Sequence, residues 1–151
     1  MTLLNDKKAA AFEELLDIYR RLDDRMASIP DCVIHCRACG LCCRFNQYGH
    51  QLFVTPIEVD WLLRSDPPFR PILSTPIDEQ CPWQNDAGQC VARTGRTFGC
   101  RAFFCDIEPP LDVDLERERL LRKIRELNAR SGYDELYAPL GVIIQAITNR
   151  T

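Results

Sequence analysis

Residues 36–43 read Cys36-Arg37-Ala38-Cys39-Gly40-Leu41-Cys42-Cys43, a C-x-x-C-x-x-C-C run that places four thiols within eight positions. Thiolates this close together repel one another unless a cation lies between them. In a chain without a secretory signal, the run indicates a metal site rather than a set of disulfides. Four further cysteines follow it: Cys81, Cys90, Cys100 and Cys105. Eight thiols fit two four-thiolate sites, so we predict these eight residues as metal ligands and Cys32 as a small buried apolar residue.

The N-terminal sequence and the net charge indicate a cytoplasmic protein that binds neither nucleic acid nor a membrane. No apolar segment follows Lys7 and Lys8, so a signal peptide is not expected. The longest nearly apolar run, 140–147, is too short to span a bilayer. The net charge of −3 gives no reason to propose binding to nucleic acid or to a membrane. We therefore expect a cytoplasmic protein, a setting in which thiols are kept reduced and available to a metal.

The cysteine spacing leaves two metals open. Cys36, Cys39 and Cys42 with the distant pair Cys81-Pro82 match the three-plus-one arrangement of bacterial-ferredoxin clusters. This spacing favours a [4Fe-4S] iron–sulfur cluster. Zinc sites more often use two separated C-x-x-C pairs, and no second pair occurs here. Cys43 has no place in the ferredoxin spacing, however, and two all-cysteine zinc sites would suit eight thiols as well, so zinc is the alternative.

Length and composition predict one globular domain over residues 1–151, since 46% of the residues are hydrophobic and 27% are charged. We expect a mainly α fold with a small irregular or β-hairpin part. An N-terminal helix (5–28) and C-terminal helices (112–149) would flank a cysteine-rich metal-binding core (32–106). The first helix has an apolar stripe at helical spacing: Phe12, Leu15, Leu16, Tyr19, Leu22, Met26 and Ile29. Packing on its own domain is the simpler expectation, and pairing with another chain as a coiled coil is the alternative.

Local signals predict the shorter elements. Thr55-Pro56-Ile57-Glu58 is typical of a helix start with a capping box, and the stretch 50–55 before it alternates weakly as a short strand does. Turns at 86–88 and 94–95 predict a short hairpin through 90–92. Asp112 or Asp114 would cap the second long helix, which runs to about residue 130 with Gly132 as its stop. A last apolar segment, 136–147, is expected to be helical and interrupted near 139–141.

Arginines lie close to the cysteines in the sequence, and two of them are candidate cofactor-binding residues. Arg96 and Arg101 are close to Cys100, where cations would donate to metal-bound sulfur and reduce the charge of the site. A catalytic thiol would need a base, and the two histidines, His35 and His50, are more simply surface or hydrogen-bonding residues. The catalytic residues, if the protein is an enzyme, are unknown from the sequence.

The cysteine run and its distant partners resemble the bacterial YkgJ-type cysteine-cluster family, described as a zinc- or iron-chelating domain. The resemblance covers about residues 32–106. Besides the run itself, the elements that carry it are Cys81-Pro82-Trp83, Gly88-x-Cys90, Arg96 and Cys100-Arg101-x-Phe103. The chain departs from the family pattern at Ala92-Arg93, Thr97 and Phe104. Cys105 corresponds to a less regular position of the family.

The resemblance implies a metal-binding role without a defined reaction. Members of the family are described as iron–sulfur oxidoreductases or metal chelators, and one relative is a flagellin lysine methylase. We expect a protein that holds one or two iron–sulfur clusters, with a redox, electron-transfer or cluster-bearing accessory role and an unidentified protein or redox partner. The alternative is a zinc-bound structural or interaction module without catalysis of its own. A group-transfer enzyme is a weaker alternative, because the chain has no glycine-rich nucleotide loop.

Overall fold

The protein is mainly helical with a small antiparallel sheet, as the sequence predicts. A computed structural model describes residues 2–29, 51–72, 81–102 and 110–149. Within them, no helix is long and apolar enough to cross a membrane. The elements in chain order are α1 (Thr2–Ala27), β1 (Phe53–Val54), α2 (Pro56–Ser65), α3 (Phe98–Arg101), α4 (Leu111–Arg130), β2 (Ala138–Pro139) and α5 (Leu140–Thr148).

Helix α1 packs on α4 of the same chain through the predicted apolar stripe. Leu15 and Leu22 are fully buried, and Leu120, Ile124 and Leu127 of α4 belong to the same hydrophobic cluster. The sequence did not single out Ala11 and Ile18, although both are buried in this cluster. Packing on its own domain, rather than a coiled-coil seam, is therefore the arrangement in this structure. We call this group of side chains the α1–α4 cluster.

Helix α2 begins as the capping box predicts. Thr55 is the N-cap, Pro56 occupies the first turn, and the Glu58 carboxylate returns to the Thr55 backbone N–H at 3.0 Å. The helix ends at Ser65, where the sequence turns to Asp66 and a pair of prolines. A proline lacks the N–H that a continuing helix would need, which accounts for this end.

The two-stranded sheet joins distant parts of the chain. Phe53 pairs with Pro139 and Val54 with Ala138 in antiparallel register. The strand lies within the predicted stretch 50–55, and its partner is β2. The Leu140 N–H donates to the Leu52 carbonyl oxygen at 2.8 Å, so the chain passes directly from the sheet into α5. The predicted interruption of the last apolar segment is this junction between strand and helix.

The predicted cap of α4 is wrong. Pro110 stands at the N-cap position, and its carbonyl oxygen accepts the N–H groups of Val113 and Asp114 at 3.0 Å each. Asp112 and Asp114 lie in the first turn of the helix, where their carboxylates interact favourably with its positive end. The predicted C-terminal stop is confirmed: Gly132 has φ of +85°, a conformation that glycine adopts without steric cost.

A tight turn follows the first of the described cysteines. Gln84 and Cys90 form an isolated antiparallel bridge, and the Val91 N–H donates to the Trp83 carbonyl oxygen at 2.8 Å. Gly88 closes the turn between them with φ of +79°. The predicted turn at 86–88 is therefore confirmed, and in place of the predicted hairpin through 90–92 the structure has a single bridge between Gln84 and Cys90.

A second hydrophobic group lies between α2, α5 and the segment 81–92. It contains Trp83, which is 1% exposed, together with Leu140, Ile143 and Ile144. We call it the Trp83 cluster. The predicted metal-binding core therefore shares its apolar surroundings with the C-terminal helix.

Candidate metal centre

Three of the eight predicted ligands lie in the part of the chain that the structure describes: Cys81, Cys90 and Cys100. The others lie outside the described residues, namely Cys36, Cys39, Cys42, Cys43 and Cys105, and so does Cys32. Cys81 and Cys90 are members of the Trp83 cluster, and Cys100 packs against it as a partly buried neighbour. Three cysteines from separate positions in the sequence therefore border one apolar region.

Cys81 and Cys90 stand on the two arms of the tight turn. Their exposed fractions are 5% and 8%, so both thiols are buried. The Cys90 thiol donates to the Ala92 carbonyl oxygen at a Sγ–O distance of 3.7 Å. Next to Cys81, the Pro82 carbonyl oxygen accepts the backbone N–H groups of Phe69 and Arg70 at 3.1 and 3.0 Å. The thiol hydrogen bond at Cys90 and the backbone hydrogen bonds at Pro82 thus fix the chain at or beside each cysteine.

Asp66 connects this turn to the end of α2. Its backbone carbonyl oxygen accepts the Trp83 indole N–H at 2.7 Å. Its carboxylate oxygen Oδ2 accepts the N–H groups of Arg93 at 3.0 Å and Gly95 at 2.7 Å. One residue therefore ties the segment after Cys81 and the loop after Cys90 to the same helix end.

Cys100 lies on α3, a single helical turn that packs closely on β1. A Cβ added at Gly99 would lie 2.5 Å from Leu52 Cδ1, so a larger residue would require the Leu52 side chain to move. The Thr97 hydroxyl donates toward Cys100 Sγ at 3.4 Å. A hydroxyl directed at a sulfur stabilises a thiolate, the form that binds metals.

The guanidinium of Arg101 binds the protein on all three nitrogens. It forms an ion pair with Asp23 at 2.6 Å and donates to the carbonyl oxygens of Arg96 at 2.7 Å and Thr94 at 2.8 Å. It also lies over the Tyr19 ring, 4.3 Å from the ring centre. These contacts hold α3 against α1. A hydrogen bond from Arg101 to metal-bound sulfur stays a prediction.

The other arginines of this region have different surroundings. Arg93 Nη2 donates to the Cys90 carbonyl oxygen at 2.8 Å. Arg96 is half-buried, and its backbone N–H donates to the Arg93 carbonyl oxygen at 3.4 Å. The predicted role of the Arg96 side chain at the metal stays a prediction as well.

Sequence reasoning identified Glu58 only as part of a helix cap and missed its place beside α3. The side chain is fully buried. Burial raises the pKa of Glu58, and hydrogen bonds from Phe98, Thr55 and Tyr19 oppose that shift without cancelling it. Burial, followed by the charge of Glu58, also raises the pKa of Tyr19 well above its ordinary value. The one sequence signal was the capping-box position, which places a glutamate at the start of a buried helix.

The described cysteines do not form a metal site by themselves. Within residues 2–29, 51–72, 81–102 and 110–149, no group of three or more His, Cys, Asp or Glu side chains is close enough together to hold a metal ion. A site that includes Cys81, Cys90 or Cys100 would need ligands from the C-x-x-C-x-x-C-C run or from Cys105. As donors, buried thiols in apolar surroundings suit an iron–sulfur cluster or zinc.

The chain matches no protein-family model, no curated protein and no solved structure. The resemblance to the YkgJ-type family accordingly stays a prediction that the quoted cysteine motifs carry.

Proposed function

We propose that this protein is a metal-thiolate protein whose cysteines hold one or two iron–sulfur clusters, in a redox, electron-transfer or cluster-bearing accessory role. The observation that carries the proposal is that Cys81 and Cys90 belong to the Trp83 cluster and that Cys100 packs against the same cluster. Buried cysteines are common as small apolar residues. Three of them beside one cluster, in a chain with a C-x-x-C-x-x-C-C run, favour ligation instead.

The surroundings of these cysteines suit a cluster that must be kept from water. Cys81 and Cys90 are almost fully buried, and Trp83 is buried among the same side chains. Solvent exposure and hydrogen bonds to sulfur set the reduction potential of an iron–sulfur cluster. The Thr97 hydroxyl directed at Cys100 is one such donor. The ligands that we propose for the first cluster are Cys36, Cys39, Cys42 and Cys81. The remaining predicted ligands would serve a second site.

Zinc is the second candidate, and the position of the cysteines between helices favours it. The Trp83 cluster contains side chains of α2 and α5 as well as the cysteines. A structural zinc there would cross-link the same elements and contribute directly to folding. In that case the protein would be an interaction module, and its function would lie in the surface that the metal stabilises.

Metal and sulfide content of anaerobically purified protein separates the two candidates. Iron with acid-labile sulfide and visible charge-transfer absorption supports the cluster. Zinc without sulfide supports the interaction module. Protein that is folded and contains neither metal would overturn both forms of the proposal.

Cysteine variants test the ligand assignment. Cys39→Ser and Cys81→Ser each remove a proposed ligand, and we expect each to lose most of the bound metal. Cys32→Ser is the matched control, because Cys32 is assigned to packing alone, and it should keep the metal. Loss of metal in Cys32→Ser with retention in Cys39→Ser would contradict the assignment.

A further inference from the structure

Helix α3 is too short to be stable by itself. Four residues form one turn, and the first turn of a helix fixes several backbone angles in return for a single hydrogen bond. The orientation of Cys100 therefore depends on what holds the two ends of this turn. Both ends are held by side chains from other elements.

The N-terminal end is held by Glu58. Its Oε1 accepts the Phe98 backbone N–H at 2.8 Å, one of the N–H groups that a helix start leaves without a helical partner. The Phe98 side chain is 6% exposed and belongs to the α1–α4 cluster. The backbone and side chain of the first residue of α3 are thus both fixed.

The C-terminal end is held by Arg101, through Asp23 and the ring of Tyr19 on α1. The Tyr19 hydroxyl also donates to Glu58 Oε1, at 3.0 Å. Tyr19 therefore contacts the anchors of both ends, and Cys100 lies between them.

A carboxylate suits the position of Glu58 better than an amide, because each of its two oxygens accepts a backbone N–H. One oxygen accepts hydrogen bonds from the Tyr19 hydroxyl and the Phe98 N–H. The other accepts hydrogen bonds from the Thr55 N–H and hydroxyl, at 3.0 Å each. Four donors converge on two oxygens. An amide would present a donor to one of these pairs, and a buried donor facing donors is strongly unfavourable.

We propose that Glu58 is the positioning residue for Cys100, holding the single turn of α3 so that the sulfur keeps one direction at the metal centre. This inference rests on the proposed function in so far as Cys100 is a metal ligand. Glu58 acts through the Phe98 N–H and contacts no metal itself.

Thiol alkylation of the full-length, reduced and metal-free protein tests the positioning directly. The rate at each cysteine is read by peptide mass spectrometry under native conditions. Loss of a buried hydrogen bond to a charged group makes local opening about tenfold or more frequent. In Glu58→Gln we expect alkylation of Cys100 to become faster by that factor, with Cys81 close to its rate in the unsubstituted chain. Tyr19→Phe, which keeps the ring beneath Arg101, should give a smaller increase at Cys100 alone.

Asp60→Asn is the matched control, because Asp60 lies on the same helix as Glu58 but accepts from Arg64, Tyr133 and Lys8. It should leave the Cys100 rate unchanged. Equal acceleration of Cys81 and Cys100 in Glu58→Gln, or no change at Cys100, would overturn the inference. If Glu58→Gln does not fold, the same comparison is made in Tyr19→Phe: faster alkylation of Cys100 alone supports the inference, and any other result overturns it.

Absorption of the metal-loaded protein gives a second measurement. If the unsubstituted chain holds a metal, Glu58→Gln should alter its absorption or weaken its retention, and Asp60→Asn should not. An unaltered spectrum with faster Cys100 alkylation would show that Cys100 is not a ligand. A chain that binds no metal would refute the proposed function, while the alkylation rates would still decide whether Glu58 positions Cys100.

Discussion

Asp66 Oδ2 accepts the Gly95 N–H at 2.7 Å and so joins the end of α2 to the loop between Cys90 and Cys100. The same oxygen accepts the Arg93 N–H at 3.0 Å. The approach is close, because a Cβ added at Gly95 would lie 2.9 Å from Leu62 Cα and from Asp66 Oδ2. The loop between these two predicted ligands is therefore fixed to the end of α2 by contacts within the protein.

Asp66→Ala removes the acceptor of two backbone N–H groups, one of them at the buried Gly95. We expect a loss of about 1–3 kcal/mol in the free energy of unfolding, the usual cost of leaving buried donors without an acceptor. Denaturant unfolding measures it. Asp86→Ala is the control, since Asp86 forms an exposed ion pair with Arg70 whose loss costs about 0–1 kcal/mol. Equal losses in the two variants would contradict the role of Asp66.

Gly95→Ala tests the close approach of the loop to α2. The added methyl would meet a backbone atom, Leu62 Cα, which has little freedom to move. Overpacking of this kind costs about 1–3 kcal/mol. Gly132→Ala is the comparison, because at Gly132 nothing lies within 4 Å of the added atom and only the positive φ opposes alanine. The expected cost there is about 1–2 kcal/mol. Thermal unfolding of Gly95→Ala that equals that of the unsubstituted chain would show that the loop lies further from α2.

We expect Asp60 to make a pH-dependent contribution to the free energy of unfolding. Burial alone would raise its pKa, but hydrogen bonds from Tyr133 and Arg64 outweigh this, so the pKa of Asp60 is lowered. A carboxyl whose folded pKa is lowered stabilises the folded state above its unfolded value of about 3.9. That contribution is lost as the pH falls through the folded pKa. We expect Asp60→Asn to cost about 1–2 kcal/mol at pH 7, and the difference from the unsubstituted chain to shrink below about pH 4.

Urea unfolding of both proteins between pH 7 and pH 2 measures that difference. A difference that stays constant over the whole range would show that ionisation of Asp60 does not stabilise the folded protein. Tyr133→Phe is the matched variant, since it removes the hydroxyl that donates to Asp60 Oδ2 at 2.5 Å. It should weaken the pH dependence without abolishing it.

Leu15→Ala tests the packing of α1 on its own domain. Leu15 is fully buried, and truncation of such a leucine costs about 2–5 kcal/mol. Glu13→Ala, two positions away on the exposed face, should change stability by no more than about 0.5 kcal/mol. The loss in Leu15→Ala should be the same at low and high protein concentration. A loss that grows on dilution would indicate that the stripe pairs with a second chain.

The elements that could be predicted from the sequence are those with local signals. The stripe of α1 repeats at helical spacing, the capping box of α2 lies within four residues, and the stop after α4 needs one glycine. Each of these depends on neighbours a few positions away, where residue type decides the backbone conformation. The same holds for the turn at 86–88, where glycine allows the positive φ.

The number and spacing of thiols are likewise properties of the sequence, and they are the reason a metal is expected. Which residues approach them was decided by tertiary packing. The partner of β1 lies more than 80 positions away, Glu58 meets Phe98 across 40, and Asp66 meets Gly95 across 29. No local pattern encodes such a pairing, because a carboxylate accepts any N–H that the fold brings within reach. The sequence by itself determined the spacing of the thiols and the local signals of the helices, and the packing of α1, α2 and α5 determined which residues meet.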